Sequence, residues 1–228
     1  MIKIGDLYFS FAKEYYTLHD INFSLNKNEG AIIIGDKDSG KTSLVRLLLG
    51  LDKANSGSVL LNNIPVDKIN FKADIQLGYI SKDPPFIHNR SVEYNLRYLV
   101  KLRNKNKDLV DVKVKNTLIS YNLYAIKNVK VNLLNYYDKL MLSIARLSIR
   151  NLDLLIIDDI FGSLNEKELG DIISNLKSLI KQNNCAVLIT TDDEKISNHF
   201  KYNKFYLNLG TLLDKKESID EWQWFKNC

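Results

Sequence analysis

The stretch Gly35-Asp36-Lys37-Asp38-Ser39-Gly40-Lys41-Thr42 decides how the rest of this sequence is read. It follows the pattern G-x-x-x-x-G-K-[ST]. A loop that wraps around a phosphate must turn its backbone N–H groups inward, and that requires glycine at the tight positions. A helix beginning at Gly40 would point its positive dipole end at the same anion. Lys41 would then reach β- and γ-phosphates, and the Thr42 hydroxyl could ligate Mg²⁺. The context suits the motif. Ala31–Ile34 is an unbroken apolar run, the pattern of a strand buried on both faces. Lys41–Leu49 reads as a short helix stopped by Gly50.

Working outward, Leu154-Leu155-Ile156-Ile157-Asp158 is a second buried strand, and it ends in a carboxylate. Asp158 is placed to hold Mg²⁺ through water, which makes it and Thr42 the candidate metal residues. The two halves lie much further apart than a minimal strand–helix–strand unit of about 30 residues requires. Residues 1–30 fall into short apolar pieces at Ile2–Ile4, Leu7–Phe11 and Ile21–Leu25, which read as antiparallel strands. Ser58–Leu61 and Leu77–Ile80 are predicted as strands around a turn at Asn62–Asn63. From Ser91 to Arg150 the period becomes helical. Val92, Leu96, Leu99 and Val100 share one face, as do Val110, Val114, Leu118 and Tyr121. Glu166–Lys181 reads as an amphipathic helix, with Ala186–Thr190 and Phe205–Leu209 as third and fourth buried strands. Buried strands alternating with helices imply a largely parallel sheet covered on both sides.

Composition narrows the class. The chain has 228 residues, 45% hydrophobic and 26% charged, which are globular values. Its charge of +5 is mild and spread along the chain, so no basic stripe calls for nucleic acid. The basic run Lys101–Lys107 reads as a solvated helix end and loop. Cys185 and Cys228 show no zinc spacing and suit a reducing compartment. The start lacks the apolar stretch of a signal peptide, and the longest apolar runs fall far short of the ~18 residues of a membrane helix. Trp222, Trp224 and Phe225 near the end read as a segment that docks on the body or on a partner.

Over nearly its whole length the sequence resembles the nucleotide-binding subunit of ATP-binding cassette (ABC) transporters. Leu18-His19-Asp20-Ile21-Asn22-Phe23-Ser24-Leu25 resembles the segment before that family's phosphate loop. Phe11 occupies the place of its adenine-stacking aromatic, and is otherwise a strand core residue. Gly57-Ser58-Val59, Ile144-Ala145-Arg146 and Arg150-Asn151 also match in order. The resemblance implies an α/β, P-loop NTPase fold with a mainly parallel core sheet, an antiparallel β-subdomain and an inserted helical subdomain. It implies a single ABC-type domain over 1–228, with 1–82 and 151–228 as the nucleotide-binding core and 83–150 as the helical part. It further implies ATP and Mg²⁺ as cofactors. The candidate nucleotide-binding residues are then Phe11, Gly35, Lys37, Asp38, Ser39, Gly40, Lys41, Thr42 and Ser43.

The departures concern catalysis. Lys82 stands where the family has a Gln that senses the γ-phosphate, and either faces solvent or approaches that phosphate. The family signature Leu-Ser-Gly-Gly-Gln reads here Leu134-Asn135-Tyr136-Tyr137-Asp138. Asp159 replaces the water-polarising Glu and is the weak candidate base. Being one methylene shorter, it leaves a water about an ångström out of reach, a misplacement that can cost ~10²-fold in rate. The switch His becomes Asp192, which has no proton to give at pH 7 and repels a γ-phosphate. Gly162-Ser163-Leu164-Asn165 replaces Ser-Ala-Leu-Asp, and Asp38 brings an acid into the loop.

The expectation is an ATP-binding subunit of an ABC transporter with weak or absent hydrolysis of its own. It would work as a homodimer, or as a heterodimer with another ABC subunit, on a transmembrane transporter subunit. It would sit in the cytoplasm, peripheral on the inner face of the cell membrane. Pro84-Pro85-Phe86 is either part of the docking surface for that subunit or a rigid apolar turn. The alternatives are an ABC-like scaffold or regulatory module that binds nucleotide weakly or not at all, and a slow ATPase using Asp159.

Overall fold

The computed structural model describes residues 1–10, 17–71, 73–102 and 106–214. Phe11 and the Trp222, Trp224 and Phe225 tail lie outside the described residues. In chain order the elements are β1 (Ile2–Phe9), β2 (Leu18–Leu25), β3 (Gly30–Ile34), α1 (Lys41–Leu48), β4 (Ser56–Leu61), β5 (Ile64–Pro65), β6 (Leu77–Ser81), α2 (Val92–Lys101), α3 (Lys107–Ser120), α4 (Tyr136–Leu147), β7 (Leu154–Asp158), α5 (Glu166–Asn183), β8 (Ala186–Thr191), β9 (Asn203–Asn208) and β10 (Thr211–Leu213). The chain divides into two compact units. One holds Met1–Tyr79, Leu152–Gly162 and the segment from Asn184 on; the other holds Ile80–Asn151 and Ser163–Asn183.

The first unit is built on two sheets. The six-stranded sheet has the order β10-β9-β3-β8-β7-β6, and β3 pairs in parallel with both β8 and β9. β7 pairs in parallel with β8. Every residue of β3, β7 and β8 is buried. That is why these strands read as continuous apolar runs: each has a covered face on both sides. The second sheet, β2-β1-β4-β5, is antiparallel where its pairings are defined, and β1 and β2 bury alternate residues in keeping with one covered face. β1 changes register between Ile4 and Leu7, where Asp6 takes a left-handed backbone at φ 46°. Ile2, Leu7, Leu18 and Ile21 from this sheet share one core with Ile33, Leu154, Ile156 and Leu188. Leu44 and Leu48 of α1 belong to the same core. α1 ends in a Schellman motif. Gly50 lies at φ 67°, its N–H donates to the Leu47 carbonyl (3.1 Å), and Leu51 N–H donates to the Arg46 carbonyl (2.9 Å).

The second unit is helical. Ser91, Asn106 and Asn135 cap α2, α3 and α4 by accepting N–H bonds from their first turns. At α5, Asn165 and Glu168 satisfy each other's backbone N–H groups in a capping box. The buried stripes are Val92, Leu96 and Val100 on α2, and Val110, Val114 and Leu118 on α3. Arg97 of α2 bridges Glu93 on its own helix and Asp111 on α3. Among the described residues no helix is long and apolar enough to cross a membrane.

Three local expectations need correction. Ser58–Leu61 and Leu77–Ile80 flank the Asn62–Asn63 turn in sequence, but they belong to different sheets. The turn instead closes a tight hairpin from β4 to β5, with both asparagines at positive φ (52° and 63°). The helical period does not run unbroken from Ser91 to Arg150, because residues 121–135 form turns and a short 3₁₀ segment. The fourth strand starts at Asn203 and stops at Asn208, with Asn203 exposed and Lys204 and Phe205 only partly covered. Leu209 leaves it at φ 45°, 60% exposed, turning the chain into the antiparallel edge strand β10. Pro84 and Phe86 are buried, and Arg146 stacks its guanidinium 5.0 Å from the Phe86 ring centre and donates to the Pro85 carbonyl (2.6 Å). These contacts favour the rigid-turn reading of that segment.

Ile156 sits fully buried in β7, with pairing partners in β8. Ile156→Ala is expected to lower unfolding stability by about 2–5 kcal/mol. Urea unfolding followed by circular dichroism checks this. A loss below about 1 kcal/mol would mean that the central sheet is not packed as described.

Candidate functional site

Strand β3 delivers the chain into the 35–42 loop at the carboxyl end of the sheet, and α1 takes it away. The Gly35 N–H donates to the Thr191 carbonyl at 3.1 Å, continuing the β3–β8 ladder by one bond. A Cβ on Gly35 would fall 2.4 Å from the Leu207 carbonyl oxygen and 2.6 Å from Ser39 Oγ, so only glycine fits. Gly40 lies at φ 106°, and a Cβ there would come within 2.8 Å of Leu18 Cδ2. Asp38 is left-handed at φ 64°, a conformation that Asp bears better than most residues. Ser39 N–H bonds the Asp36 carbonyl at 3.2 Å, and Gly210 N–H bonds the Ser39 carbonyl at 3.2 Å. The loop is therefore seated against β8 and the β9–β10 turn.

Lys41 is 6% exposed. Its Nζ donates to the carbonyls of Gly35 (2.7 Å) and Asp36 (2.8 Å). Gly40 gives α1 no side-chain cap, and no acid stands in the first turn. The first N–H groups of the helix thus face the loop without a side-chain competitor. Ser39 Oγ is buried with no hydrogen-bond partner. A glycine cradle, an orphaned hydroxyl, an uncapped helix start and a buried lysine form a donor set that suits phosphate oxygens. Ser43 is buried, while Lys37, Asp38 and Thr42 are exposed. The loop's two acids, Asp36 and Asp38, balance Lys37 and Lys41, so its formal charge is zero. Its preference for an anion therefore rests on N–H geometry more than on net charge.

Asp158 closes β7 with its side chain 6% exposed. Thr190 Oγ1 donates to its Oδ1 at 2.6 Å, and the Tyr79 hydroxyl donates to its Oδ2 at 3.3 Å. Burial pushes the Asp158 carboxyl above the ordinary range, although these two bonds and the Lys41 charge pull the other way. A buried carboxylate with both oxygens oriented suits a hard divalent cation. Asp159 is half-buried at φ 53°, and its N–H donates to the Thr190 carbonyl (3.0 Å). Asp192 is exposed just past β8. No sequence motif marks Thr190, Tyr79 or Gly210. The nearest signal was the polar Thr190-Thr191 end of an otherwise apolar strand.

In the second unit, Lys82 is exposed. The segment Leu134-Asn135-Tyr136-Tyr137-Asp138 forms the start of α4. Asn135 Oδ1 accepts the Asp138 N–H (2.8 Å), so this helix start carries its own cap. Tyr136 and Tyr137 are half-buried, and the Tyr137 hydroxyl donates to Asp171 Oδ2 at 3.4 Å. Burial, then the neighbouring Glu168 charge, holds the Asp138 carboxyl above its usual range. Burial and then Asp171 raise Tyr137 in the same way. A capped helix start ringed by Asp138, Glu168 and Asp171 is poorly suited to receiving an anion.

The sequence model of a family described as "ABC transporter" matches residues 18–162. The phosphonates import ATP-binding protein PhnC of Fusobacterium nucleatum is 28% identical over 218 residues, covering 89% of this chain and 87% of the relative. The molybdate/tungstate import ATP-binding protein WtpC of Methanocaldococcus jannaschii is 27% identical, covering 78% of this chain and 59% of the relative. This chain spans only 34% of the length of an ABC transporter ATP-binding protein of Bacillus cereus that it matches at 24% identity. In fold, it is similar to cbiO1 from Clostridium perfringens, part of the ABC transporter complex cbiONQ. The TM-score is 0.79 at 21% identity, over 99% of this chain and 93% of that one. A dimeric ATP-binding cassette solved in a post-hydrolysis state with ADP and phosphate gives a TM-score of 0.79 at 20% identity, over 93% and 96%. Because the matched span runs from β2 through the phosphate loop and past the Asp158–Asp159 pair, and because the fold is that of an ATP-binding cassette, this chain belongs to the ABC transporter family.

Proposed function

We propose that this protein binds ATP with Mg²⁺ through the 35–43 loop and couples its nucleotide state to a transmembrane transporter subunit, with slow or no hydrolysis on its own. The observation that carries the reading is the buried Lys41, held by two loop carbonyls at the uncapped start of α1. Gly35, Ser39, Gly40, Lys41 and Ser43 would hold the phosphates, with Lys37 and Asp38 on the exposed rim. Phe11 would stack on the adenine. Thr42 and Asp158 would hold Mg²⁺, which when bound neutralises phosphate charge. Asp159 stays the weak candidate base. The relatives named as import ATP-binding proteins support a transport role and a membrane partner. The protein would act peripherally on the inner face of the cell membrane, as a homodimer or as a heterodimer with another ABC subunit.

Weak hydrolysis follows from the side chains. Asp159 is short, Asp192 is acidic where a proton donor is needed, and the α4 start carries tyrosines and acids. The second reading is a non-transport scaffold or regulatory module with a relic loop. It draws on the same lysine, two of whose three Nζ donors are already taken by the Gly35 and Asp36 carbonyls.

Calorimetric titration of the purified protein with ATP–Mg²⁺ decides between them. Wild type is expected to bind below millimolar concentration and Lys41→Ala to lose most of that affinity. No binding by wild type at millimolar ATP would establish the scaffold reading. Turnover is expected well below about 1 s⁻¹, the low end of usual enzyme rates. Faster turnover that is lost in Asp159→Asn would make Asp159 a competent base.

Asp158→Asn tests the metal site from the side of stability. The folded carboxyl is raised above its unfolded value, so ionisation costs stability at neutral pH. That cost is relieved as pH falls through the folded pKa. The neutral amide is expected to raise Tm at pH 7 and to flatten the acid side of the stability profile. It should also abolish the Mg²⁺ contribution to ATP affinity. A Tm that falls, or a Mg²⁺ effect that persists, would count against this assignment.

A further inference from the structure

Two adjacent threonines at the end of β8 do different work. The Thr191 carbonyl accepts the Gly35 N–H (3.1 Å), and its hydroxyl accepts the Asp193 N–H (3.1 Å). The Thr190 carbonyl accepts the Asp159 N–H (3.0 Å), and its hydroxyl donates to Asp158 at 2.6 Å. Thr190 is fully buried, and its strand lies between β3 and β7. A single residue therefore grips the side chain of Asp158 and the backbone of Asp159. The second grip fixes the left-handed turn at Asp159, where a short polar side chain is tolerated. From the opposite side, the Tyr79 hydroxyl reaches the other Asp158 oxygen at 3.3 Å.

We propose that Thr190, assisted by Tyr79, is the positioning residue of the metal-side carboxylates: it holds Asp158 in one orientation, so that the carboxylate would be ordered in advance for a hydrated divalent cation. The inference rests on the Mg²⁺ reading of Asp158 given above. A carboxylate oxygen has two lone-pair sites, and each oxygen here has one donor defined. Without the threonine hydroxyl, only the longer Tyr79 bond would restrain the Asp158 carboxylate about its terminal torsion, which is broad. A cation ligand that must first be ordered binds its ion more weakly, and outer-shell partners of metal ligands commonly contribute 10–100-fold to affinity. Thr190 needs no contact with nucleotide to have this effect. Its loss should therefore appear in the Mg²⁺-dependent part of ATP affinity and not in the Mg²⁺-free part.

The test is a fluorescent-ATP titration, with Mg²⁺ and with EDTA, on wild type, Thr190→Val, Thr190→Ser and Tyr79→Phe. Valine keeps the shape and the backbone bond to Asp159 but deletes the donor. It is expected to cut the Mg²⁺-linked gain in affinity about 10-fold and to leave the EDTA affinity within about twofold of wild type. Serine, which keeps the hydroxyl, should restore the gain to within about twofold. Tyr79→Phe should give a smaller loss in the same direction, and it serves as the deciding variant if Thr190→Val does not fold. An undiminished Mg²⁺ gain in the deciding variant overturns the proposal alone. Equal losses with and without Mg²⁺ also overturn it, by marking a purely structural role. A wild type whose ATP affinity does not respond to Mg²⁺ overturns both this assignment and the magnesium reading beneath it.

Discussion

A lysine side chain in a place almost closed to water is the constraint around which the first unit is arranged. Lys41 is 6% exposed, and its ammonium is carried by two backbone carbonyls of the loop that precedes it. A buried cation without such acceptors would cost several kcal/mol. The acceptors exist only because the chain doubles back within six residues, from Gly35 to Lys41. That reversal needs glycine where a Cβ would strike the Leu207 carbonyl and again where φ reaches 106°. The loop in turn needs a rigid floor, which three strands buried along their whole length provide. The core beneath them is what makes a strained, polar loop tolerable.

The same floor explains why the carboxylates stand beside the loop. β8 lies between β3 and β7, so the ends of the two outer strands are neighbours across one intervening chain. Thr191 takes the N–H of Gly35 and Thr190 takes the N–H of Asp159. Parallel register therefore converts a large sequence separation into adjacency. The intervening chain is spent on the antiparallel sheet, which completes the first core, and on the capped helices of the second unit. In that unit the start of α4 is satisfied by its own asparagine and crowded by acids, so its dipole is already used.

Most of the architecture is legible in the sequence. Val92, Leu96 and Val100 repeat at helical spacing because only one stripe of α2 is covered. Ala31–Ile34 shows no period because both faces are. The sequence misleads where a local signal does not carry its partner. The Asn62–Asn63 turn announces a hairpin, but its second strand is only Ile64–Pro65, too short to stand out. Leu77–Ile80 looks like the better partner and belongs to another sheet. At the site, Lys41, Thr42 and Asp158 could be picked out because phosphate and cation chemistry demand those residue types at that spacing. Thr190 and Tyr79 could not, since a hydroxyl at the end of a strand has no meaning until the strand beside it is known.

By itself the sequence determined the strand–loop–helix around residues 35–42, the buried parallel strands, the helical block and the family. It did so because these depend on local sterics and on hydrophobic period, which neighbouring residues encode. The tertiary structure alone decided which strands share a sheet and that β8 stands between the loop and Asp158. It also decided that Lys41 is held by Gly35 and Asp36, and that Thr190 grips both aspartates. Those contacts join residues far apart in the chain through hydrogen bonds a few ångströms long. Their geometry is set by strand order and register, which no single segment contains.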